Sequence, residues 1–213
     1  MTKLSAKCKL CRRAGEKLFL KGDRCGTPKC AIIRKPSPPG MHGASKKGPR
    51  AKSEYGQQLA MKQRIKRIYA VLERQLNKYF QEVKGKQGVI GDLLMQKLEM
   101  RIDNAVYRAG FAASRRQARQ LVKHSLFLVN GKNANIPSIE LKIGDKVSIK
   151  ENKSNKNYFK QILAAMKESK GSGLPNWMQL DPEKAVLEIK GRPNRDDLGA
   201  GIDAQMVIEF YSR

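Results

Sequence analysis

Asn130 followed directly by Gly131 constrains the fold of this chain more than any other feature of its sequence. Asparagine and glycine tolerate the positive φ angles of a two-residue hairpin turn, and this pair is the strongest short-range hairpin signal. An apolar run at residues 126–129 precedes the pair, and residues 132–136 follow it as the returning strand. The sequence therefore predicts an antiparallel hairpin, with a further strand at residues 146–149 after another turn.

Two short helices are predicted before the hairpin. Asp92 can cap a helix that continues or restarts until Gly110 stops it. Ser114 and Gln117 match the Ser-x-x-Gln capping box, which predicts that a second helix begins there. Residues 92–150 are therefore expected to form an α+β module of two helices and a twisted hairpin sheet.

The rest of the chain is expected to surround this module. Residues 1–52 form a basic arm that contains an extended loop rich in Pro, Gly, Ser and Lys, while residues 53–91 and 151–213 form a helical and C-terminal packing region. Apolar residues recur every three or four positions from Ser53 to Val83, which predicts one long amphipathic helix. The C-terminal elements predicted are a helix at residues 158–166, a loop around Trp177, and strands at residues 186–189 and 206–211. The fold class is α+β, with the module inserted in or packed on the helical domain.

The net charge of the chain and its distribution along the sequence indicate what kind of molecule the protein binds. The chain holds 44 Lys and Arg against 19 Asp and Glu, a net charge of +25, which is far more than solubility needs. Residues 1–52 hold 15 basic and 2 acidic side chains, whereas residues 151–213 hold 10 and 9. This gradient predicts a nucleic acid lying against the arm and the module, with the C-terminal region packed on protein. No apolar run is long enough for a membrane span or a signal peptide, so we expect a cytoplasmic protein without membrane partners.

All four cysteines lie in the first 30 residues, at positions Cys8, Cys11, Cys25 and Cys30. Disulfides are rare in a reducing cytoplasm, and paired x2 and x4 spacings can place four thiolates around one ion. Zn²⁺ is the expected cofactor, although an iron–sulfur cluster also fits four thiolates. Because four protein ligands leave no open position, the site is expected to be structural.

Arg115, Arg119 and Lys123 recur at i, i+4 and i+8 in the second helix of the module. This spacing predicts an outward stripe that follows RNA phosphates, and the alternative is pairing with the local acids Glu99 and Asp103. For the cations of the long helix, a solvated face and RNA contact are equally favoured; they are Lys62, Arg64, Lys66, Arg67, Arg74 and Lys78.

Catalysis finds little support in the sequence. The chain has two histidines, His42 and His124, no Gly-rich phosphate loop, and no thiol outside the candidate metal site. We therefore expect no enzymatic activity and no small-molecule substrate. Two alternatives remain open from the residues alone: a small RNA-modifying enzyme that docks through the module, and a zinc-ribbon transcription factor.

Several segments resemble bacterial-type small-subunit ribosomal protein four, in its form with four N-terminal cysteines. The segments that carry the resemblance span nearly the whole chain: residues 20–25, 29–32, 38–43, 53–56, 99–112, 114–122, 129–131 and 209–213. The resemblance implies a structural protein that binds the 5′ domain junction of small-subunit rRNA and nucleates assembly of the subunit. It also implies a position beside ribosomal proteins three and five, near the channel through which mRNA enters, and a contribution to translational accuracy.

Candidate contacts follow from the charge pattern and this resemblance. The predicted rRNA-binding residues are Arg12, Arg13, Lys21, Arg24, Arg101, Arg108, Arg115, Arg116, Arg119, Lys123, Asn130 and Lys132. The candidates for contact with incoming mRNA are Lys46, Lys47, Arg50 and Lys52.

Overall fold

The protein is represented by a computed structural model. The structure describes residues 6–44, 51, 53–154, 157–169, 173–181, 183–194, 197 and 201–213. The chain forms two compact units: Met1–Gly91 with Gly201–Arg213, and Asp92–Ala200. The predicted division differs from these units at residues 151–200, which it grouped with the helical region. They fall in the second unit because β5 (Val186–Ile189) pairs with β3 (Lys146–Ile149) in one sheet.

The first unit opens with short helices. Helix α1 spans Lys7–Ala14 and ends at Gly15, whose φ of 80° is the left-handed conformation that glycine favours at a helix end. Helix α2 spans Ala31–Arg34, and a 3₁₀ turn spans Met41–Ala44, so part of the predicted extended loop is helical.

Two helices replace the one long helix predicted from Ser53 to Val83. Helix α3 spans Glu54–Ile68 and begins at Ser53, whose hydroxyl accepts the Gly56 amide, as an N-cap should. Helix α4 spans Glu73–Lys84. Between them Ala70 has a φ of 52°, which no right-handed helix allows. Because the flanking Tyr69 and Val71 are both buried, packing holds this break although no Gly or Pro marks it.

The C-terminal segment of the first unit is a helix. The prediction of a strand at residues 206–211 is wrong: helix α10 spans Ala204–Ser212 and packs on α3 and α4. The Asp203 side chain accepts the Gln205 amide at 2.9 Å, so a capping residue starts the helix.

The second unit begins with helices and continues into the sheet. Helix α5 spans Ile90–Glu99, α6 spans Ile102–Arg108 and α7 spans Arg115–Lys123. Helix α8 spans Glu151–Ser154 and α9 spans Asn157–Ser169, which confirms the predicted helix around residues 158–166. The α+β class is also confirmed.

Five antiparallel strands form one sheet in the order β2-β1-β3-β5-β4. The strands are β1 (Phe127–Val129), β2 (Lys132–Ala134), β3, β4 (Met178–Asp181) and β5. Val129 pairs with Lys132 around a turn in which Asn130 and Gly131 have φ angles of 49° and 78°, so the hairpin is confirmed. Strand β4 lies where the loop around Trp177 was predicted, and Trp177 itself is buried just before it.

The helices and the sheet of the second unit share one core. Phe127 of β1 packs its ring against those of Phe111 and Phe159, with centroid distances of 5.7 and 6.1 Å. Ala118 and Val122 of α7 are fully buried in the same core. Burial on this side fixes which face of α7 remains for polar contacts.

Candidate nucleic-acid interface

Helix α7 carries the arginines of the predicted stripe, and its start is set locally. The Ser114 hydroxyl accepts the Gln117 amide at 3.4 Å, and Gln117 Oε1 accepts the Ala113 amide at 3.0 Å. The serine contact matches the predicted capping box, while the glutamine reaches one residue further back than that motif requires. The arginines therefore begin in the first turn of α7.

Glu99 lies at the centre of a buried ion-pair cluster. Its side chain is 0% exposed, and the Arg108 guanidinium donates to it through Nε at 3.0 Å and Nη2 at 2.9 Å. Asn104 Nδ2 donates to Glu99 Oε2 at 2.6 Å, and Arg115 Nε donates to Asn104 Oδ1 at 2.7 Å. The Arg115 Nη2 atom is 3.7 Å from Glu99 Oε1. Arg115 is therefore tied to α5 and α6.

Asp103 forms a second pairing. Arg101 donates to its carboxylate through Nε at 3.0 Å and Nη2 at 2.7 Å, while Arg119 Nη1 is 3.8 Å from it. Arg101 is only 2% exposed. The prediction that Arg101 contacts rRNA is corrected, because a buried guanidinium presents no surface to a phosphate.

The predicted outward stripe is also corrected. The side chains of Arg115 and Arg119 are 16% and 35% exposed, and both pair with the acids of the module. Packing of α7 against α6 brings these charges together, so the structure has the alternative arrangement with Glu99 and Asp103. Four guanidiniums face two carboxylates here, counting Arg101, Arg108, Arg115 and Arg119. We call these six side chains the arginine cluster; it keeps an excess of positive charge.

Other predicted contacts in the second unit differ in exposure. Lys123 and Lys132 are exposed, and Arg116 is half-buried. Asn130 Nδ2 donates to Asp145 Oδ1 at 2.8 Å, and Asn130 Oδ1 accepts the Lys146 amide at 2.9 Å. The Asn130 side chain thus joins the hairpin turn to β3.

In the first unit, Arg12 differs from the other predicted basic contacts. Its guanidinium donates to the Ser37 and Pro38 carbonyls at 2.8 and 3.2 Å, which holds the loop after α2. Arg13, Lys21 and Arg24 are exposed. These three side chains are placed where RNA can reach them.

A groove of about 500 Å³ lies between the end of α1, helix α3 and Met206 of α10. We call it the α3 groove. Its lining includes Arg13, Glu16, Arg64 and Arg67, and the Arg64 Nε atom is 2.7 Å from Glu16 Oε1. Burial lowers the pKa of Arg67, and the nearby positive charge of Arg13 lowers it further. Of the α3 cations whose role the sequence left open, Lys62 is buried and paired with Glu73, whereas Arg67 lines this groove.

The four cysteines line one small cavity of about 20 Å³, together with residues such as Leu20 and Ile32. Cys11, Cys25 and Cys30 are buried, Cys8 is half-buried, and all four are free thiols. Burial raises the pKa of the Cys11 thiol, and the proximity of the other three cysteines adds to the increase. In the part of the chain that the structure describes, no group of three or more His, Cys, Asp or Glu is arranged to hold a metal ion.

The candidates for mRNA contact cannot be placed. Lys46, Lys47, Arg50 and Lys52 lie outside the described residues. Within the described ranges, no helix has the length and apolar character to cross a membrane.

The sequence named Glu99 as an alternative partner of the stripe but gave no role to Asn104 or Tyr107, and all three contact the arginine cluster. Glu99 and Asn104 bind the arginines, and the Tyr107 ring lies 4.6 Å from the Arg115 guanidinium carbon. The signal that the sequence offered for this cluster was Glu99, a carboxylate in an apolar helix of a strongly basic module. Its partners lie 5 to 16 positions along the chain, so only the packing of α6 and α7 identifies them.

The chain matches two known domain families. Residues 3–99 match the ribosomal protein S4/S9 N-terminal domain, and residues 100–147 match the S4 domain. The second match contains α6, α7 and the strands β1 to β3 apart from the end of β3. The arginine cluster therefore belongs to the S4 domain, apart from Glu99 at its border.

Curated relatives match almost the whole length. Small ribosomal subunit protein uS4A of Symbiobacterium thermophilum is 46% identical over 97% of this chain and 96% of its own length. Small ribosomal subunit protein uS4 of Thermus thermophilus shows the same identity and coverage, and that of Ruminiclostridium cellulolyticum is 44% identical over 98% of this chain. With both domains matched in order and nearly every residue covered, the chain belongs to the bacterial-type uS4 family of small ribosomal subunit proteins.

Proposed function

We propose that this chain is a structural protein of the small ribosomal subunit that binds rRNA and catalyses no reaction. One observation carries the proposal: relatives named as small ribosomal subunit proteins match 97% of the chain at 46% identity, so both units are included. The net charge of +25 supplies the attraction to a polyanion. The RNA-modifying enzyme would share only the module with this chain, and the zinc-ribbon transcription factor only the cysteine segment.

The outer edge of the arginine cluster, formed by Arg115 and Arg119, is proposed as a prepositioned rRNA contact. Because Glu99 and Asp103 neutralise only part of its charge, the edge formed by Arg119 and Arg115 keeps a positive field. Fixed guanidiniums lose little side-chain entropy on binding a phosphate, and each can contact two oxygens. Further contacts are proposed for the exposed cations Arg13, Lys21, Arg24, Lys123 and Lys132.

The resemblance supports a more specific role within the subunit. We propose binding to the 5′ domain junction of the rRNA, an early role in assembly, and a place beside ribosomal proteins three and five. Lys46, Lys47, Arg50 and Lys52 are proposed to touch incoming mRNA and so to influence translational accuracy.

A structural metal site is proposed in the N-terminal segment. Two observations support it: the x2 and x4 spacing of Cys8, Cys11, Cys25 and Cys30, and the one cavity that all four line, although the described thiols are not arranged around an ion. Bound Zn²⁺ would replace the four protons and fasten α1 to α2, which a segment so poor in apolar residues needs.

Elemental analysis of natively purified chain tests the metal site. About one zinc per chain is expected, and chelation should lower the melting temperature of the wild type but not that of a Cys25→Ser, Cys30→Ser variant. Iron with visible absorbance would assign a cluster instead. A metal-free protein whose melting temperature does not change when the chelator is added would contradict both assignments.

Competitive RNA binding tests the main proposal. The full chain should bind a small-subunit rRNA transcript at least tenfold more tightly than a structured RNA of equal length, at the same salt concentration. Equal affinity for both RNAs would leave only non-specific charge attraction, which contradicts the proposal.

A further inference from the structure

We propose that the α3 groove binds a phosphodiester segment of RNA, with Arg13 and Arg67 on either side of one phosphate and the attached nucleoside along the groove. The inference rests on the rRNA-binding function proposed above and names a site for it outside the S4 domain.

The size and lining of the α3 groove suit a nucleotide of a longer chain. Its volume of about 500 Å³ falls in the range of about 300 to 1,000 Å³ that small ligands occupy. Gly56 and Ala60 of α3 contribute little bulk to the lining, while Leu59 and Met206 add apolar surface. An open groove of this kind can accept a base and ribose while the RNA backbone continues on both sides.

The charges in the α3 groove favour an anion. Arg13 and Arg67 lie close enough for their positive charges to repel each other. Among the described residues, neither guanidinium forms an ion pair or a hydrogen bond. Among the described lining residues Glu16 is the one carboxylate, and Arg64 already binds it. A phosphate between Arg13 and Arg67 would reduce the repulsion between their positive charges and supply hydrogen-bond acceptors for both guanidiniums.

Arginine footprinting on the wild-type chain tests this directly. Phenylglyoxal modifies accessible guanidiniums, and mass spectrometry locates the products. Saturating small-subunit rRNA should reduce modification of Arg13 and Arg67 at least fivefold, while the exposed Arg34 and Arg74, which lie outside the groove, should change less than twofold. Unchanged modification of Arg13 and Arg67 in samples where the rRNA is shown to be bound would overturn the inference.

Matched variants give a second test in the full chain. Arg13→Gln with Arg67→Gln should weaken rRNA binding at least tenfold more than Arg34→Gln with Arg74→Gln, which removes the same charge elsewhere. The slope of log affinity against log salt should fall by about 0.7 to 0.9 for each phosphate that the variant no longer neutralises. Equal affinities for the two double variants would contradict the inference.

A third variant fills the groove without changing charge. Ala60→Phe should weaken rRNA binding, whereas Asn77→Phe on the exposed surface of α4 should not. Circular dichroism identifies any variant that fails to fold, and footprinting of the wild type then decides alone. A wild-type chain that shows no preference for rRNA would contradict the proposed function itself. A chain that binds rRNA while Arg13 and Arg67 stay reactive would contradict only the proposed phosphate site in the α3 groove.

Discussion

Glu99 accepts two hydrogen bonds from the Arg108 guanidinium, at 3.0 and 2.9 Å, from a position with no solvent-exposed side-chain surface. A fully buried carboxylate is tolerated only when charged partners replace its hydration. This pair therefore makes the arginine cluster part of the stability of the second unit.

Glu99→Gln should destabilise the second unit strongly. The amide cannot balance Arg108 and Arg115, and leaving part of a buried ion pair uncompensated costs about 3 kcal/mol or more. Urea denaturation at neutral pH measures the loss. The control is Glu140→Gln, since Glu140 is 53% exposed and pairs with Lys97 at 3.3 Å. Equal stability of the two variants would contradict the role given to Glu99.

Arg115→Ala should lower stability as well as RNA affinity. The substitution removes the hydrogen bond to Asn104 and the packing on Tyr107, together worth about 1 to 3 kcal/mol for a half-buried charged donor. Lys123→Ala, at an exposed position of the same helix, should stay within about 0.5 kcal/mol of wild type. Thermal melts of both variants measure the difference. An unchanged melting temperature for Arg115→Ala would favour the predicted outward stripe over the pairing with Glu99 and Asn104.

Asn130→Ala should weaken the hairpin. Alanine tolerates the φ of 49° poorly and cannot replace the contacts with Asp145 and the Lys146 amide, so a loss of about 1 to 2 kcal/mol is expected. Asn133→Ala, in the adjoining strand at an exposed position, is the matched control. Equal free energies of unfolding for the two variants in chemical denaturation would contradict the role given to the Asn130 side chain in the turn.

The first unit should lose stability in acid through Glu73. Burial opposes ionisation of this carboxyl, but hydrogen bonds from Lys62, Lys66 and Tyr211 outweigh it and lower its pKa to about 2. A carboxyl whose pKa is lowered by folding contributes stability above its unfolded pKa, about 4.5, and this contribution disappears as the pH falls toward 2.

Tyr211→Phe tests that linkage. The ring can still stack on Phe80, at a centroid distance of 5.0 Å, but Glu73 loses a hydrogen bond of 2.9 Å. The pKa of Glu73 should rise, so acid unfolding should begin at a higher pH than in wild type. Tyr55→Phe removes an exposed hydroxyl and should leave the acid transition in place. Acid titrations followed by circular dichroism compare the three proteins.

Helix caps and the hairpin turn were predictable from the sequence, because each is set by residues a few positions apart in the chain. Ser53 and Ser114 cap their helices and Asn130 with Gly131 makes the hairpin, because each signal acts within a few residues. The strand prediction at residues 206–211 is wrong because a short apolar run of β-branched and aromatic residues fits a buried helix as well as a strand. Packing on α3 and the Asp203 cap select the helix.

The site was less predictable than the fold. Charge identified α7 as basic, but charge alone does not say whether an arginine faces RNA or a carboxylate from another helix. For Arg101 and Arg115 the sequence does not decide between rRNA and the acids Asp103 and Glu99, because these ion pairs depend on how α5, α6 and α7 pack. The α3 groove likewise combines residues from α1, α3 and α10, which no local pattern connects.

Sedimentation of the tagged chain in cell lysate tests the central claim most directly. After a sucrose gradient at high salt, we expect about one copy of the chain in each small ribosomal subunit and none in the large subunit. High salt removes proteins held only by general charge attraction, so retention requires specific rRNA contacts. Recovery of the chain at the top of the gradient, with small subunits intact, would contradict the account.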